Sequence, residues 1–294
     1  LWSLETRTPI KDFDVLGFTL QYEMTYTNVL NILDLSGIPV WARDRTGEHP
    51  LVIAGGSGGF NPEPLSPFVD AFFLGEGEDA VIELADLVRD WKRAGTPRME
   101  RLRSLLKMPG VYVPAFYEAR YGADGHFLAL EPTTAEAPAV ITRRILEKLP
   151  PALVRPIVPF LQTIHDRAAV EIQRGCTQGC RFCQAGMIYR PTRERSPEEV
   201  VQAARELMRN TGYDELSLLS LSTTDHSQIV PMINQLTSTF DDLKVGIPST
   251  RVDSFSVDVA NAVAKGKKHT LTLAPEAGSQ RLRNAINKLV SEED

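Results

Sequence analysis

The stretch "CTQGCRFC", Cys176 to Cys183, holds all three cysteines of this 294-residue chain. Three thiols cannot all pair with one another, and nothing in the sequence marks secretion, so a disulfide framework is improbable. Clustered cysteine in a cytosolic setting points to metal or redox chemistry. The spacing is C-x-x-x-C-x-x-C, and the array follows directly on an apolar run, "AAVEIQ" (168–173), that reads as a β-strand. Such a position, at the C-terminal end of a strand in an α/β fold, is where these folds place their sites.

The rhythm around the loop sets the fold class. From 168 onward four strand-like runs, "AAVEIQ", "ELSLLSLS" (215–222), "KVGIP" (244–248) and "HTLTLAP" (269–275), are each followed by a helical pattern. The first helix is the best marked. Ser196 stands as N-cap, Pro197 occupies the first helical position, Glu199 completes a capping box, and Gly212 follows the end. Its stripe of Val200, Ala203, Ala204, Leu207 and Met208 has the spacing of a core face.

Residues 1–95 show the same alternation, with strands at "FDVLGFTL" (13–20), "PLVIAGG" (50–56) and "DAFFLGEGE" (70–78) and helices ending at Gly37 and Gly95. This is the pattern of a parallel, doubly wound sheet. Residues 96–167 change character, with a β-hairpin centred on Gly122–Gly125 followed by the proline-rich "LPPALVRPIVPF" as an extended connector. The expectation is an α/β protein: a Rossmann-like domain over 1–95, a connector over 96–167, and a partial (β/α) barrel over 168–294. Leu1 is not methionine, both ends run into patterned sequence, and four barrel strands leave an open edge. The chain therefore reads as a piece of a longer one.

The net charge of −6 argues against a surface that binds nucleic acid throughout. No apolar run has the length of a membrane span, and the expected location is the cytoplasm.

The cysteine array lacks the second C-x-x-C pair or close histidine that a structural zinc site needs; the nearest histidine, His165, precedes the strand. A [4Fe–4S] cluster also needs four ligands. With three cysteines, one iron must take a ligand that is not cysteine, and an exchangeable ligand there makes a reactive centre. Gly175 and Gly179 are the residues expected to let the loop curl until three sulfurs share one point.

The array resembles the C-x-x-x-C-x-aromatic-C signature of the radical S-adenosylmethionine (radical SAM) superfamily, with Phe182 as the aromatic. The resemblance implies that Cys176, Cys180 and Cys183 hold a [4Fe–4S] cluster whose vacant iron is chelated by S-adenosylmethionine. One electron then cleaves the sulfonium to methionine and a 5′-deoxyadenosyl radical. "STRVDSF" (249–255) and "APEAGSQRLRNAINK" (274–288) are similar to segments bordering the adenosylmethionine site in the cobalamin-domain branch of that superfamily. On that resemblance Arg251 and Glu276 bind the cofactor, a guanidinium suiting its carboxylate and a carboxylate suiting its ammonium or ribose. Ala277 departs from the serine common there. "LSTTDH" stands where Gly-Gly-Glu is frequent, so Ser222, Thr223 and Thr224 are the candidates to offer hydroxyls.

"VIAGGSGGFNPEP" (52–64) and "DAFFLGEGE" resemble the later strands of a cobalamin-binding-type domain. Cobalamin is thus a further cofactor the resemblance allows, although the Asp-x-His-x-x-Gly motif that supplies a cobalt ligand is absent. The nearest string, Asp124-Gly125-His126, sits in the hairpin turn and reads as surface. The implied reaction is hydrogen abstraction, methyl transfer or sulfur insertion on an unnamed substrate, with electrons from a reductant protein such as a flavodoxin or ferredoxin. Five arginines (Arg174, Arg181, Arg190, Arg193, Arg195) surround the loop. They read first as compensation for a thiolate-ligated cluster, and second as a grip on a phosphate-bearing substrate such as tRNA. An RNA-binding or scaffold module with a purely structural cluster is the alternative from another class. His226 and His269, near strand ends, read as structural residues.

Overall fold

A computed structural model describes residues 1–161, 163–252, 257–264 and 273–294. The chain divides into two compact units, Leu1–Leu146 and Glu147–Asp294.

In the first unit, β1 (Val15–Thr19) leads into α1 (Tyr26–Leu35), then β2 (Leu51–Gly55), β3 (Ala71–Phe73), α2 (Glu78–Ala94), α3 (Arg98–Leu105) and β4 (Val111–Tyr112). The sheet order is β1-β2-β3-β4, parallel except for the antiparallel β3/β4 pair. Both faces are covered, as a parallel sheet requires. Leu51 and Ala71 turn toward Leu84 and Trp91 of α2 and Leu102 of α3, while Val52, Ala54 and Phe72 turn toward Val29 and Leu33 of α1. Alternate residues of one strand thus feed two cores.

The glycines after β2 are explained by packing. Gly56 has φ +92, and a Cβ there would meet the Leu20 carbonyl oxygen at 2.7 Å. The turn exists because two backbones pass in contact.

The sequence divides the chain at 95 and 167, whereas the contacts divide it at 146. The reason is β4, which adds an edge to the first sheet, and the hairpin of β5 (Tyr117–Tyr121) and β6 (Phe127–Pro132), whose Leu130 and Tyr117 pack on the first unit's core. The hairpin turns at Gly125, φ +80, as expected. His126 at its tip is exposed, its side chain 83% open to solvent.

The second unit carries β7 (Ala168–Glu171), β8 (Gln173–Arg174), α4 (Ala185–Ile188), β9 (Arg193–Glu194), α5 (Pro197–Thr211), β10 (Glu215–Leu219), α6 (Ile229–Thr239), β11 (Lys244–Gly246), α7 (Val257–Ala264) and α8 (Gln280–Ala285). Its parallel sheet runs β11-β10-β7 and is not closed among the described residues. Ala168, Val170, Ile172, Leu216, Leu218 and Val245 form one buried face against α5 and α6. The opposite face carries Glu171 and the part-exposed Leu219. Helices on one face and a polar, open surface on the other are the arrangement of a barrel wall.

The capping box of α5 is complete: the Glu199 N–H donates to Ser196 Oγ (3.2 Å) and the Ser196 N–H donates to Glu199 Oε2 (2.9 Å). Gly212 ends the helix in the left-handed region. Most of the fourth expected strand (269–275), His269 included, lies outside the described residues; Leu273 makes a parallel bridge to Thr250. The short antiparallel β8/β9 pair was not expected from sequence. It folds the chain back after the cysteine loop, under residues 189–192.

Candidate functional site

The cysteine loop leaves β8 through Gly175, φ +89, where a Cβ would lie 2.7 Å from the carbonyl oxygens of both Tyr189 and Pro191. No other residue type fits under the returning chain at that point. Gly179 has a different role from the one expected. Its φ is ordinary, and a Cβ there would come 3.0 Å from Asn287 Nδ2. Gly179 lets a neighbouring segment approach, and does not itself bend the loop.

Cys176, Cys180 and Cys183 are all free and half-buried. Burial pushes the Cys176 thiol up, and Asp225 and the other two cysteines add to that, partly offset by the Gln178 N–H donating to Cys176 Sγ at 3.4 Å. Among the described residues no three His, Cys, Asp or Glu side chains stand close enough to share an ion. Three thiolates repel one another, and closing them together requires a cation to offset their charge.

Three neighbouring segments brace the loop. Gln178 Nε2 donates to Asp225 Oδ2 (2.9 Å), tying the loop to the turn after β10. Asn287 Nδ2 donates to the Gly179 carbonyl (2.8 Å), the Arg181 N–H to the Ile286 carbonyl (2.9 Å), and Arg181 Nη1 to the Ala285 carbonyl (2.6 Å), tying it to the end of α8. Arg190 Nη2 donates to the Gln178 carbonyl (3.1 Å).

The same segments carry the other expected residues. Ser222, Thr223 and Thr224 are buried on the turn after β10. The Thr223 N–H donates to the Ser249 carbonyl (2.7 Å), and the Arg251 N–H donates to Thr224 Oγ1 (3.2 Å), which joins that turn to the loop after β11. Arg251 is 6% exposed. Glu276, at φ +68, accepts from Lys288 Nζ (3.2 Å), next to Asn287. Hydrogen bonds from the cysteine loop thus reach Asp225 and Asn287, whose sequence neighbours Thr224 and Lys288 bond in turn to Arg251 and Glu276. Phe182 is 55% exposed on the loop.

Among the described residues, two buried polar atoms here have no partner: Ser222 Oγ and Gln173 Oε1. Gln173 and Ser222 follow the C-terminal ends of the adjacent parallel strands β7 and β10 by two and three residues, and an unsatisfied buried acceptor or hydroxyl is costly unless something completes it. With three free thiols beside them, the donor set fits an iron–sulfur cluster and a polar organic cofactor. Gln173, Gln178, Asp225 and Asn287 escaped the sequence reading; a polar residue at an inward strand position (Gln173) was the one available signal. The five arginines mostly meet backbone carbonyls or, for Arg174, the Glu171 carboxylate. His226 is buried, its Nδ1 accepting from the Gln228 N–H (3.1 Å), so Nε2 carries the proton toward the Arg195 carbonyl (3.1 Å). It is structural, as read.

The chain matches two family models: "Radical SAM proteins, N-terminal" over residues 1–114 and "Radical SAM superfamily" over 170–294. The chain belongs to the radical SAM superfamily. It is 29% identical over 300 aligned residues to an uncharacterized protein of Methanocaldococcus jannaschii, covering 100% of this chain and 56% of that one. Threonylcarbamoyladenosine tRNA methylthiotransferase of Bacillus subtilis is 32% identical over 94 residues, 31% of this chain and 21% of the relative. In fold, the chain is similar to the radical S-adenosylmethionine methyltransferase TsrM of Kitasatospora setae, solved with cobalamin and a [4Fe–4S] cluster bound. The TM-score is 0.59 at 15% identity, over 97% of this chain and 52% of that one. This radical SAM chain spans about half the length of the relatives that it matches throughout. Among its described residues no helix is long and apolar enough to cross a membrane.

Proposed function

We propose that this chain is the cofactor-binding part of a radical SAM enzyme that modifies its substrate by radical chemistry. Cys176, Cys180 and Cys183 hold a [4Fe–4S] cluster, and Ser222–Thr224, Arg251 and Glu276 bind S-adenosylmethionine. The observation that carries this reading is the braced loop of three free cysteines at a strand's C-terminal end, tied through Gln178 to the Asp225 turn on which Ser222 Oγ has no partner among the described residues. Bound together, cluster and cofactor supply a one-electron cleavage that yields methionine and a 5′-deoxyadenosyl radical.

The chain's own residues do the positioning. The Arg251 guanidinium offers a fork of donors to a carboxylate, and burial strengthens that contact. Glu276 is pre-paired with Lys288, so a ligand ammonium competes for the carboxylate with one lysine. Asn287 and Arg181 hold the middle of the loop against the end of α8 while its thiols deprotonate to take metal. A small reductant protein such as a flavodoxin or ferredoxin is the proposed electron donor. Methyl or methylthio transfer is the proposed outcome, in line with the Bacillus subtilis methylthiotransferase and TsrM. The first unit does not fit a histidine-ligated cobalamin through His126, which lies exposed on a hairpin tip.

The test is anaerobic reconstitution of the full-length protein. About four irons and four sulfides should be retained per chain, and Cys176→Ala, Cys180→Ala or Cys183→Ala should abolish this. Stoichiometric zinc without iron would overturn the reading.

A further inference from the structure

The first unit carries a cavity of about 500 Å³ lined by none of the residues assigned to the cluster or its cofactor. It lies by the N-terminal ends of β2 and β3, since Asp70 immediately precedes β3 and Arg45 lies on the approach to β2. Ligands of open α/β sheets ordinarily sit at the other end of the strands. Its charged lining is Arg43, Arg45, Arg98 and Asp70, three cations against one carboxylate.

Two of those cations are out of water. The side chains of Arg45 and Asp70 are 0% and 1% exposed, and that of Arg98 is 11% exposed. Asp70 Oδ2 accepts from Arg45 Nη1 (3.1 Å), Arg98 Nη2 (2.7 Å) and the Val52 N–H (2.7 Å), so a single oxygen serves both guanidiniums. Arg45 spends its other donors on the carbonyls of Pro39, Val40 and Phe68. It is a structural tie. Arg98 directs Nη1 to the carbonyls of Thr46, His49 and Pro50, while its Nε has no hydrogen-bond partner among the described residues. Arg43, at the rim, rests over the Trp41 ring at 4.8 Å and meets only Asp44, at 3.8 Å and exposed. Such an exposed pair neutralises little.

The cavity wall therefore holds an excess of two positive charges, one of them buried, and uncommitted donors on Arg98 and Arg43. Carbonyl dipoles satisfy hydrogen bonds but do not cancel net charge, and a low-dielectric wall magnifies what remains. Guanidinium forks match tetrahedral and planar oxyanions. A double positive excess matches a phosphomonoester dianion better than a carboxylate. The rest of the lining, Val69, Leu102 and Pro114 among it, is apolar and suits an organic body.

We propose that this cavity binds an organic phosphomonoester, its phosphate on Arg43 and Arg98 and its body against Val69, Leu102 and Pro114. Every residue of this site belongs to the first unit, and none is assigned to the cluster or its cofactor.

The experiment is thermal unfolding and calorimetry of the full-length protein at constant ionic strength. The probes are inorganic phosphate, phenyl phosphate and neutral benzyl alcohol, none of which carries an adenosyl group that could occupy the cofactor site. Phosphate and phenyl phosphate should stabilise the protein, phenyl phosphate more strongly, and benzyl alcohol should not. Arg43→Gln, at an exposed rim position where folding is spared, should weaken phenyl phosphate binding by up to about fivefold while leaving iron content unchanged. Absence of stabilisation by either phosphate, an equal effect of benzyl alcohol, or wild-type affinity in Arg43→Gln would overturn the proposal.

Discussion

Asn287 offers a sharp test of how the cysteine loop is held. It does two things at once: its Nδ2 donates to the Gly179 carbonyl at 2.8 Å, and its backbone sits at φ +56. Asparagine tolerates that left-handed conformation and glycine accepts it freely, but alanine pays about 1–2 kcal/mol for it. Loss of the part-buried hydrogen bond costs about 1 kcal/mol. Asn287→Gly should therefore weaken the bracing by about 1 kcal/mol, and Asn287→Ala by about 2–3 kcal/mol, summing the two terms. The Arg181 amide, which donates to the Ile286 carbonyl at 2.9 Å, reports this opening by hydrogen exchange. Its protection in the metal-free protein should fall about fivefold in the glycine variant and about 30- to 140-fold in the alanine variant, at 1.4 kcal/mol per factor of ten. The ordering is the diagnostic part, because helix propensity alone ranks glycine as the worse substitution. Wild-type protection in both variants, or glycine exchanging faster than alanine, would refute the bracing argument.

Two further outcomes follow from the same structure. Arg251→Ala and Glu276→Gln should each cost about 1.5–3 kcal/mol of S-adenosylmethionine affinity, about ten- to hundredfold in Kd, with iron content unchanged; unaltered calorimetric Kd in both would reject their placement. For His226, burial pulls the folded-state pKa below the ordinary histidine value, and its Nδ1 is committed as an acceptor. The unfolded chain binds the proton first, so stability is intact above about pH 6.5 and declines as pH falls below it toward the lowered folded value. Tm between pH 7.5 and 5.5 should drop less steeply in His226→Gln than in wild type, and parallel curves would argue against the assignment.

Where local chemistry decides a feature, the sequence carried it. The capping box at Ser196 and Glu199, the glycine stops at 95 and 212 and the turn at Gly125 depend on residues a few positions apart, and the structure shows each as read. The alternation of strands and helices was legible for the same reason. The limit of the first unit was not, because β4 is two residues long and earns its place only by pairing with β3, a contact across nearly forty residues. The site divided along the same line. Cys176, Cys180 and Cys183 announced themselves by spacing. Asn287 and Asp225 did not, since what makes them matter is a hydrogen bond to the loop from segments distant in sequence. Gly179 shows how a residue can be noticed for the wrong reason: it leaves room for Asn287, a fact that no local pattern contains.

The central claim is that the cysteine loop holds a cluster whose open iron takes S-adenosylmethionine, which separates an enzyme from a protein using a cluster as a structural staple. The most direct measurement uses the full-length, anaerobically reconstituted and reduced protein. Its electron paramagnetic resonance spectrum is recorded with and without S-adenosylmethionine, and the mixture is then assayed for 5′-deoxyadenosine. A cofactor-bound cluster gives a changed spectrum and slow 5′-deoxyadenosine formation without added substrate, both lost in Cys180→Ala. A cluster whose spectrum is indifferent to the cofactor, with no 5′-deoxyadenosine formed, would contradict the claim.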